Sequence, residues 1–475
     1  MSKAQSAALS GRLSLPSVLA FACAYMPFAA LQLSVAVQLP PFFASQLGLG
    51  LAAGAAFGIV RLIDIPVDPA LGLFMDKTHT SFGRFRPWMI AGAPILMLAL
   101  YMLYQAPPGI SQGYLVVWLL VVYLGMSILL VAGNSWASTL ATTYQERSRI
   151  FGAMLAMGVI GTVTCLLIPV VFEQTHRTEL AGVRAVGWFL IVLAPVAVGI
   201  ALVRTPERVV KAAAGRRFKL ADYFSLLSRG NVLRILAADF CVTMSPGWMA
   251  ALYYFYYRQS RGISLSAASL LLILYILAGL IGGPAVAWLG NRISKHRALI
   301  VSTTFYSLLL FAIPLMPRGD AKLYAIPMLL LGAMATGFVV MIRAITADVG
   351  DELRLAGGQD LIGLLYALTS ATTKAAGALA IFVSFALLDT VGFDVKPHAV
   401  NGPDQVNGLS LIFIIGPIAF AMLGGASFLG YKLTADRHAD IRRQLDERDA
   451  VYAESPITQA AAGGAVETVT VRGEI

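Results

Sequence analysis

The segment Arg61-Leu-Ile-Asp64-Ile-Pro-Val-Asp68-Pro69-Ala-Leu-Gly72 sets two carboxylates four residues apart within an apolar run. On a helix Asp64 and Asp68 lie one turn apart on one face, with Arg61 one turn before Asp64. A helix entering an apolar layer near Gly50 and rising about 1.5 Å per residue carries Asp64 about 21 Å in, past the midplane of a core about 30 Å thick. A carboxylate at that depth is costly unless it is paired or faces water. Two adjacent carboxylates repel, and a hard monovalent cation or a proton between them relieves the repulsion, so this all-oxygen pair suits Na⁺ or a shared proton. The competing reading is a buried structural network in which both acids only satisfy Arg61, but one arginine compensates one acid and leaves the other. Pro66 and Pro69 are expected to loosen the helix and free carbonyls close to the acids.

Lys374 also lies deep in an apolar run, flanked by Ser370, Thr372 and Thr373. Its ammonium is expected to face an internal cavity and contact substrate together with Ser370 and Thr373; snorkelling to an interface is the alternative. An apolar ring face beside a hydroxyl suits stacking under a sugar ring. Tyr254, within the run Tyr253 to Tyr257, and Trp136, just after Asn134, are therefore candidate substrate contacts, with Asn134. An interfacial aromatic belt explains the tyrosine run equally well. Gln32 and Gln38 are polar groups in the first apolar run; Gln32 is a candidate ligand contact, and hydrogen-bonded glue between helices is the alternative.

A bundle of membrane helices must position these side chains. Of 475 residues, 58% are apolar and 13% charged, about half the charged share of a soluble domain. That balance argues against a soluble enzyme, a nucleic-acid binder and a secreted disulfide scaffold. With about 20 apolar residues per crossing, twelve spans emerge, at roughly residues 15–40, 50–75, 87–107, 113–142, 149–173, 185–204, 231–257, 265–289, 297–317, 323–347, 360–389 and 408–433. The net charge of +10 needs no polyanion partner, because most of the 35 Lys and Arg fall in the two tails and the loops on their side. The positive-inside rule then places both termini in the cytoplasm of a plasma membrane, the inner membrane in a bacterium. The first run is too long for a signal-peptide core and is expected to be retained. Cys23, Cys165 and Cys241 read as small hydrophobes, and the five histidines fall in candidate loops, so no metal site is expected beyond a Na⁺ at Asp64 and Asp68.

The stretch 205–230 separates a six-span N-terminal half, 1–204, from a six-span C-terminal half, 231–433, and a cytoplasmic tail follows at 434–475. Within the stretch, Leu220, Tyr223, Phe224 and Leu227 share one helical face beside a basic cluster, which predicts a linker helix at the membrane surface; a solvated linker without helix is the alternative. Asp436 to Arg448 reads as a charged helix. An internal repeat supports the division: Pro69, Gly72, Asp76 and Lys77 recur 215 residues later as Pro284, Ala287, Asn291 and Arg292. Two related six-helix halves predict an all-α polytopic major facilitator fold with a site near the midplane between them. The positions matching Asp64 and Asp68 are Gly279 and Gly283, which confines the acid pair to the first half.

The run from Arg61 to Trp88, with its Arg-x-x-Asp-x-x-x-Asp-Pro-x-x-Gly pattern, Asp76-Lys77-Thr78 and Gly83-Arg84-Phe85-Arg86-Pro87-Trp88, resembles the glycoside-pentoside-hexuronide:cation symporters, the family of melibiose permease. Tyr144-Gln-Glu146-Arg147-Ser-Arg149, Tyr253-Tyr254-Phe255 and Ala347-Asp348-Val-Gly-Asp351-Glu352 extend the match. The resemblance implies cation-coupled alternating access. By position it assigns Asp64 and Asp68 to the cation, Ser127 to a hydroxyl near it, and Lys374 to the lysine close to the cation and sugar. Where the family's permease uses two acids and an arginine to hold a galactoside, this chain has Phe28, Leu130 and Leu155, so galactoside specificity does not transfer. Arg61, Asp76, Arg84, Arg147 and Asp348 are assigned to gating, with Asp76 latching Arg84 or Arg147; helix capping or topology retention is the alternative. The expected protein is a monomeric Na⁺- or H⁺-coupled sugar or glycoside transporter among membrane lipids, with no cofactor and no nucleic-acid partner. A lysolipid or other amphiphile as substrate is the first alternative, a non-transporting sensor the second, and no nucleophile and base pair marks an enzyme.

Overall fold

The computed structural model describes residues 13–78, 80, 83–140, 144–207, 226–357, 361–396 and 399–454. Helices carry their regular structure: α1 (Leu15–Gln46), α2 (Ala52–Asp64), α3 (Val67–Lys77), α4 (Arg86–Tyr104), α5 (Gln112–Leu140), α6 (Tyr144–Gln174) and α7 (Glu179–Arg204) in the first half. The second half holds α8 (Gly230–Ser260), α9 (Leu265–Ile293), α10 (Lys295–Ala312), α11 (Ala325–Gly357), α12 (Ile362–Thr390) and α13 (Pro403–Ala426), and α14 (Ala435–Glu454) forms the tail. Among the described residues, eleven helices are long and apolar enough to cross a membrane. Where the second span is expected, α2 and α3 follow one another as two short helices, so that span is discontinuous.

The break follows from two prolines. Pro66 has no N–H for the Leu62 carbonyl, which accepts from Ile65 instead at 3.3 Å, and Pro69 cannot donate to the Ile65 carbonyl. The helix therefore stops at Asp64 and resumes at Val67. The repeat partner α9 carries Pro284 yet stays continuous. Its Gly279 and Gly283, where the first half has acids, lie against Thr336 of α11 and allow close helix packing.

The two halves meet along α2 and α12. A Cβ on Gly58 would stand 2.8 Å from the Phe382 Cβ and 3.3 Å from the Ala378 carbonyl oxygen, so glycine is required for this approach. Away from the chain termini, Arg258 pairs with Glu179, and the Ser266 N–H donates to Glu173 at 2.6 Å. These contacts cross between halves and close the far side of the bundle.

On the side of the tail helix α14, the start of α4 is held by the segment that follows α7. The Glu207 carboxylate accepts the backbone N–H groups of Arg84, Phe85 (2.9 Å) and Arg86 (3.3 Å), capping the start of α4. Gly83 has φ +115°, and the carboxylate occupies the space a Cβ would need. Because these donors lose their acceptor, Glu207→Ala is expected to cost about 1–2 kcal/mol and to lower the melting temperature of the purified protein.

The tail helix α14 docks on the end of α11. His438 Nε2 lies 3.4 Å from Asp348 and 3.1 Å from Asp351, Arg442 lies 3.6 Å from Asp351, and Ile441 and Leu445 are buried. Most of the expected linker helix, residues 208–225, lies outside the described residues.

Candidate cation and substrate site

Asp64 ends α2 and is 2% exposed; Asp68 lies in the first turn of α3. The break between them leaves both carboxylates facing α12, where Lys374 reaches in from the opposite half. Its Nζ stands 2.8 Å from Asp64 Oδ2, 2.7 Å from Asp68 Oδ2 and 3.2 Å from the Asp64 carbonyl oxygen. The Ser127 hydroxyl of α5 donates to Asp64 Oδ1 at 3.2 Å. Arg61 stays 3.9 Å from Asp64 Oδ2 and lies over the Tyr123 ring at 4.9 Å to its centre.

Two anions thus share one ammonium, with a guanidinium at longer range. Such a cluster is tolerable in an apolar interior because its charges cancel. Asp68 Oδ1 is buried and, among the described residues, accepts no hydrogen bond. Oxygen ligands surround the ammonium as they would a monovalent cation, and that free acceptor adds one more. Losing the hydroxyl in Ser127→Ala is expected to weaken cation affinity about 3- to 10-fold, equivalent to about 1 kcal/mol, measured from the cation dependence of thermal stabilisation.

The structure disperses other expected contacts. Trp136 is fully buried, edge-on to Phe21 at 5.2 Å and under Arg86 at 5.6 Å, so it packs the first half instead of lining a cavity. Tyr254 is 7% exposed and bonded to the Ser269 hydroxyl at 3.1 Å. The whole run Tyr253 to Tyr257 is core, with Tyr256 stacked on Phe413 at 4.0 Å; it is neither an interfacial belt nor a cavity wall. Bulky rings here fill the closed far side, where apolar area is removed from water.

Gln32 is exposed on the α1 face shared with Tyr25 and Phe28, while Gln38 is buried and accepts from Ser34 at 2.5 Å. Asn134 is exposed beside a small apolar groove lined by Tyr25, Phe28, Leu129, Leu130 and Met154. Ser370 and Thr373 are exposed on α12, the first one turn from Lys374 and the second adjacent to it.

Among the gating candidates, Arg61 belongs to the acid cluster. Arg84 donates Nε to the Met75 carbonyl at 3.1 Å, and its N–H goes to Glu207. Asp348 pairs with Lys295 at 2.6 Å and with the tail through His438. The side chains of Asp76 and Arg147 lie outside the described residues.

Sequence reasoning missed Asp239 of α8. It is 7% exposed and accepts the Thr372 and Thr373 hydroxyls on Oδ2 at 2.6 and 2.9 Å. The cost of a carboxylate in an apolar run was a signal present in the sequence.

Two pseudo-symmetric six-helix halves with an ionic cluster buried where they meet define a multi-pass membrane transporter of major facilitator architecture. In fold it is similar to the nucleoside transporter NupG, with a TM-score of 0.65 and 13% identity over 88% of this chain and 100% of that one. It is also similar to a bacterial homologue of the human lysosomal transporter Spinster in an inward-facing, occupied conformation, with a TM-score of 0.61 and 12% identity over 89% and 97% of the two chains. The family described as MFS/sugar transport protein matches residues 20–435, and the chain belongs to it. Its relatives include the isoprimeverose transporter of Lactiplantibacillus pentosus, 24% identical over 84% of this chain and 85% of that one. The glucuronide carrier protein homolog of Escherichia coli is 25% identical over 88% and 92%. The sodium-dependent lysophosphatidylcholine symporter 1 of Xenopus tropicalis is 22% identical over 86% and 83%.

Proposed function

We propose that the protein is a symporter that couples uptake of a sugar or glycoside to Na⁺ or H⁺ by alternating access. The observation that carries this reading is Lys374 of one half seated between Asp64 and Asp68 of the other. The ammonium occupies the place a coupling cation needs, so the two compete. A cation held by Asp64, Asp68 and Ser127 releases Lys374 toward the cavity, where Gln32, Asn134, Ser370 and Thr373 join it around the substrate. The exchange also unties a charged contact between α3 and α12, so cation and substrate together shift the balance between the two access states. Asp76 and Arg147 belong to the latch that closes the side of the termini. That side faces the cytoplasm of the plasma membrane, and the protein works as a monomer. Relatives described as carrying isoprimeverose or glucuronides support a sugar.

One observation favours an amphiphile as the second reading. The groove at Phe28, Leu129 and Leu130 is apolar and would accept an alkyl or aromatic group beside the polar contacts of Asn134 and Gln32.

The test is thermal stabilisation of the purified protein across a panel of glycosides and lysolipids, each with Na⁺, with Li⁺ and at lowered pH, followed by uptake into vesicles. A glycoside that stabilises only with its cation, and enters vesicles only down that cation's gradient, is the expected result. Stabilisation by lysolipids alone replaces the sugar with an amphiphile. Absence of cation-driven uptake of either class overturns the symporter reading.

A further inference from the structure

Asp239 of α8 is a carboxylate within a membrane-spanning helix, 7% exposed, that belongs neither to the acid pair nor to the substrate contacts. Among the described residues no cation pairs with it; Arg343 of α11 acts on its charge from beyond pairing distance. Its partners are two hydroxyls from one turn of α12: Thr372 and Thr373 donate to Oδ2 at 2.6 and 2.9 Å. A threonine inside a helix ordinarily returns its hydroxyl to a carbonyl one turn back, as Thr162, Thr164 and Thr346 do. Thr372 has such a carbonyl within reach, that of Thr369 at 2.8 Å, and stands no farther from Asp239. The carboxylate therefore draws hydroxyls away from their own helix, with bonds that its charge strengthens.

The next residue is Lys374. Successive side chains point about 100° apart around a helix, so Thr372 and Thr373 held toward α8 leave Lys374 aimed at the other side of α12, where α2 carries Asp64. The same two faces recur one to two turns on: Ala380 lies against Gly247 of α8, and Ala378 and Phe382 lie against Gly58 of α2. Turning α12 by about 20° moves a group about 6 Å from its axis by about 2 Å. That takes the ammonium out of reach of acid oxygens that stand 2.7 and 2.8 Å away. At its far end α8 carries Arg258, paired with Glu179 of α7 in the first half. One helix thus closes the far side of the bundle and grips the turn that bears Lys374.

Resting on the symporter reading above, we infer that Asp239 is a positioning residue for coupling: through Thr372 and Thr373 it aims Lys374 at Asp64 and Asp68. When α8 moves with the far side of the bundle, the grip loosens, the ammonium withdraws and the acid pair is left to the cation.

The measurement is the Na⁺, Li⁺ and pH dependence of thermal stabilisation of the purified full-length protein, with choline keeping the ionic strength constant. Thr372→Val combined with Thr373→Val removes both hydroxyls and leaves the Asp239 charge in place. Asp239→Asn also removes a negative charge, which by itself weakens cation binding, so the valine pair carries the comparison. The expected result for that pair is a lower melting temperature without cation and an apparent cation affinity about fivefold tighter, because residues in one hydrogen-bond network are energetically coupled. Thr372→Ser with Thr373→Ser keeps the hydroxyls and is expected within about twofold of the native affinity. In a Lys374→Ala background the valine pair is expected to shift affinity by less than about twofold, since the residue it acts through is gone. Thr372→Val alone replaces the pair if the pair does not melt cooperatively. A lower melting temperature with unchanged or weaker cation affinity assigns Asp239 to bracing, and a shift that persists without Lys374 assigns it to another route. Either result overturns the inference and leaves the symporter reading in place. Absence of stabilisation of the native protein by any of these cations overturns the cation site and this inference with it.

Discussion

Asp64→Asn is expected to abolish cation-driven accumulation of substrate, lowering it at least about 100-fold, while the protein still inserts and folds. The amide keeps the size of the carboxylate and can still accept the Ser127 hydroxyl, so packing around the 2%-exposed side chain is preserved. What changes is charge. With one anion gone, Asp68 alone faces both Lys374 and Arg61, and a further cation entering the cluster meets net repulsion. Removing one member of a buried ionic set costs about 3–5 kcal/mol, which covers a 100-fold loss of cation affinity. The measurement is the Na⁺ and pH dependence of uptake in vesicles, set beside thermal stabilisation by the same ions. Cation dependence indistinguishable from the native protein would remove Asp64 from the coupling site. Asp68→Asn should act in the same direction but less strongly, because Asp68 is more exposed and already has one oxygen without a hydrogen-bond partner.

How much of this was readable beforehand depends on the range of each interaction. The i, i+4 spacing of Asp64 and Asp68 and the prolines around them are local, and they announced the acid pair and a loosened helix, which the structure shows as a full break. The break was harder to see as a change in span count, since neither α2 nor α3 is long enough to cross by itself. Lys374 was visible as an expensive charge, but its seat between the acids depends on a contact 310 residues away in the chain. The Glu207 cap depends on one about 120 residues away, so the part the Gly83–Arg86 motif plays in starting a helix could not be read from its own residues. Periodicity says which residues leave the lipid face. It cannot say whether they meet a cavity or a neighbouring helix, and for that reason Trp136 and Tyr254 read as substrate contacts although both are core. Asp239 was legible in principle, as a carboxylate inside an apolar run.

Lys374→Ala separates competition from simple structural support, because it moves cation binding in the opposite direction from Asp64→Asn. If the ammonium only braces the two halves, its removal loosens the bundle and cation affinity falls or is unchanged. If it holds the cation's place, its removal leaves Asp64 and Asp68 within reach of each other with Arg61 at 3.9 Å as partial compensation, and the repulsion between them is relieved only by a bound cation or a proton. The expected result is a protein less stable than native in cation-free buffer, stabilised more steeply as the cation is added, with apparent affinity about 10-fold tighter or more. Binding to the native state raises its stability by RT ln(1 + [L]/Kd), so the midpoint of the titration reads the affinity directly. Net uptake is nonetheless expected to fall by about two orders of magnitude. The cation no longer has to displace anything, its arrival no longer frees an ammonium for the substrate, and the coupling free energy of about 1–3 kcal/mol that links two ligands through a shared element is lost. Tighter cation binding together with lost accumulation identifies Lys374 as the exchangeable element between the two sites, whereas weaker cation binding in this variant would assign it to bracing alone.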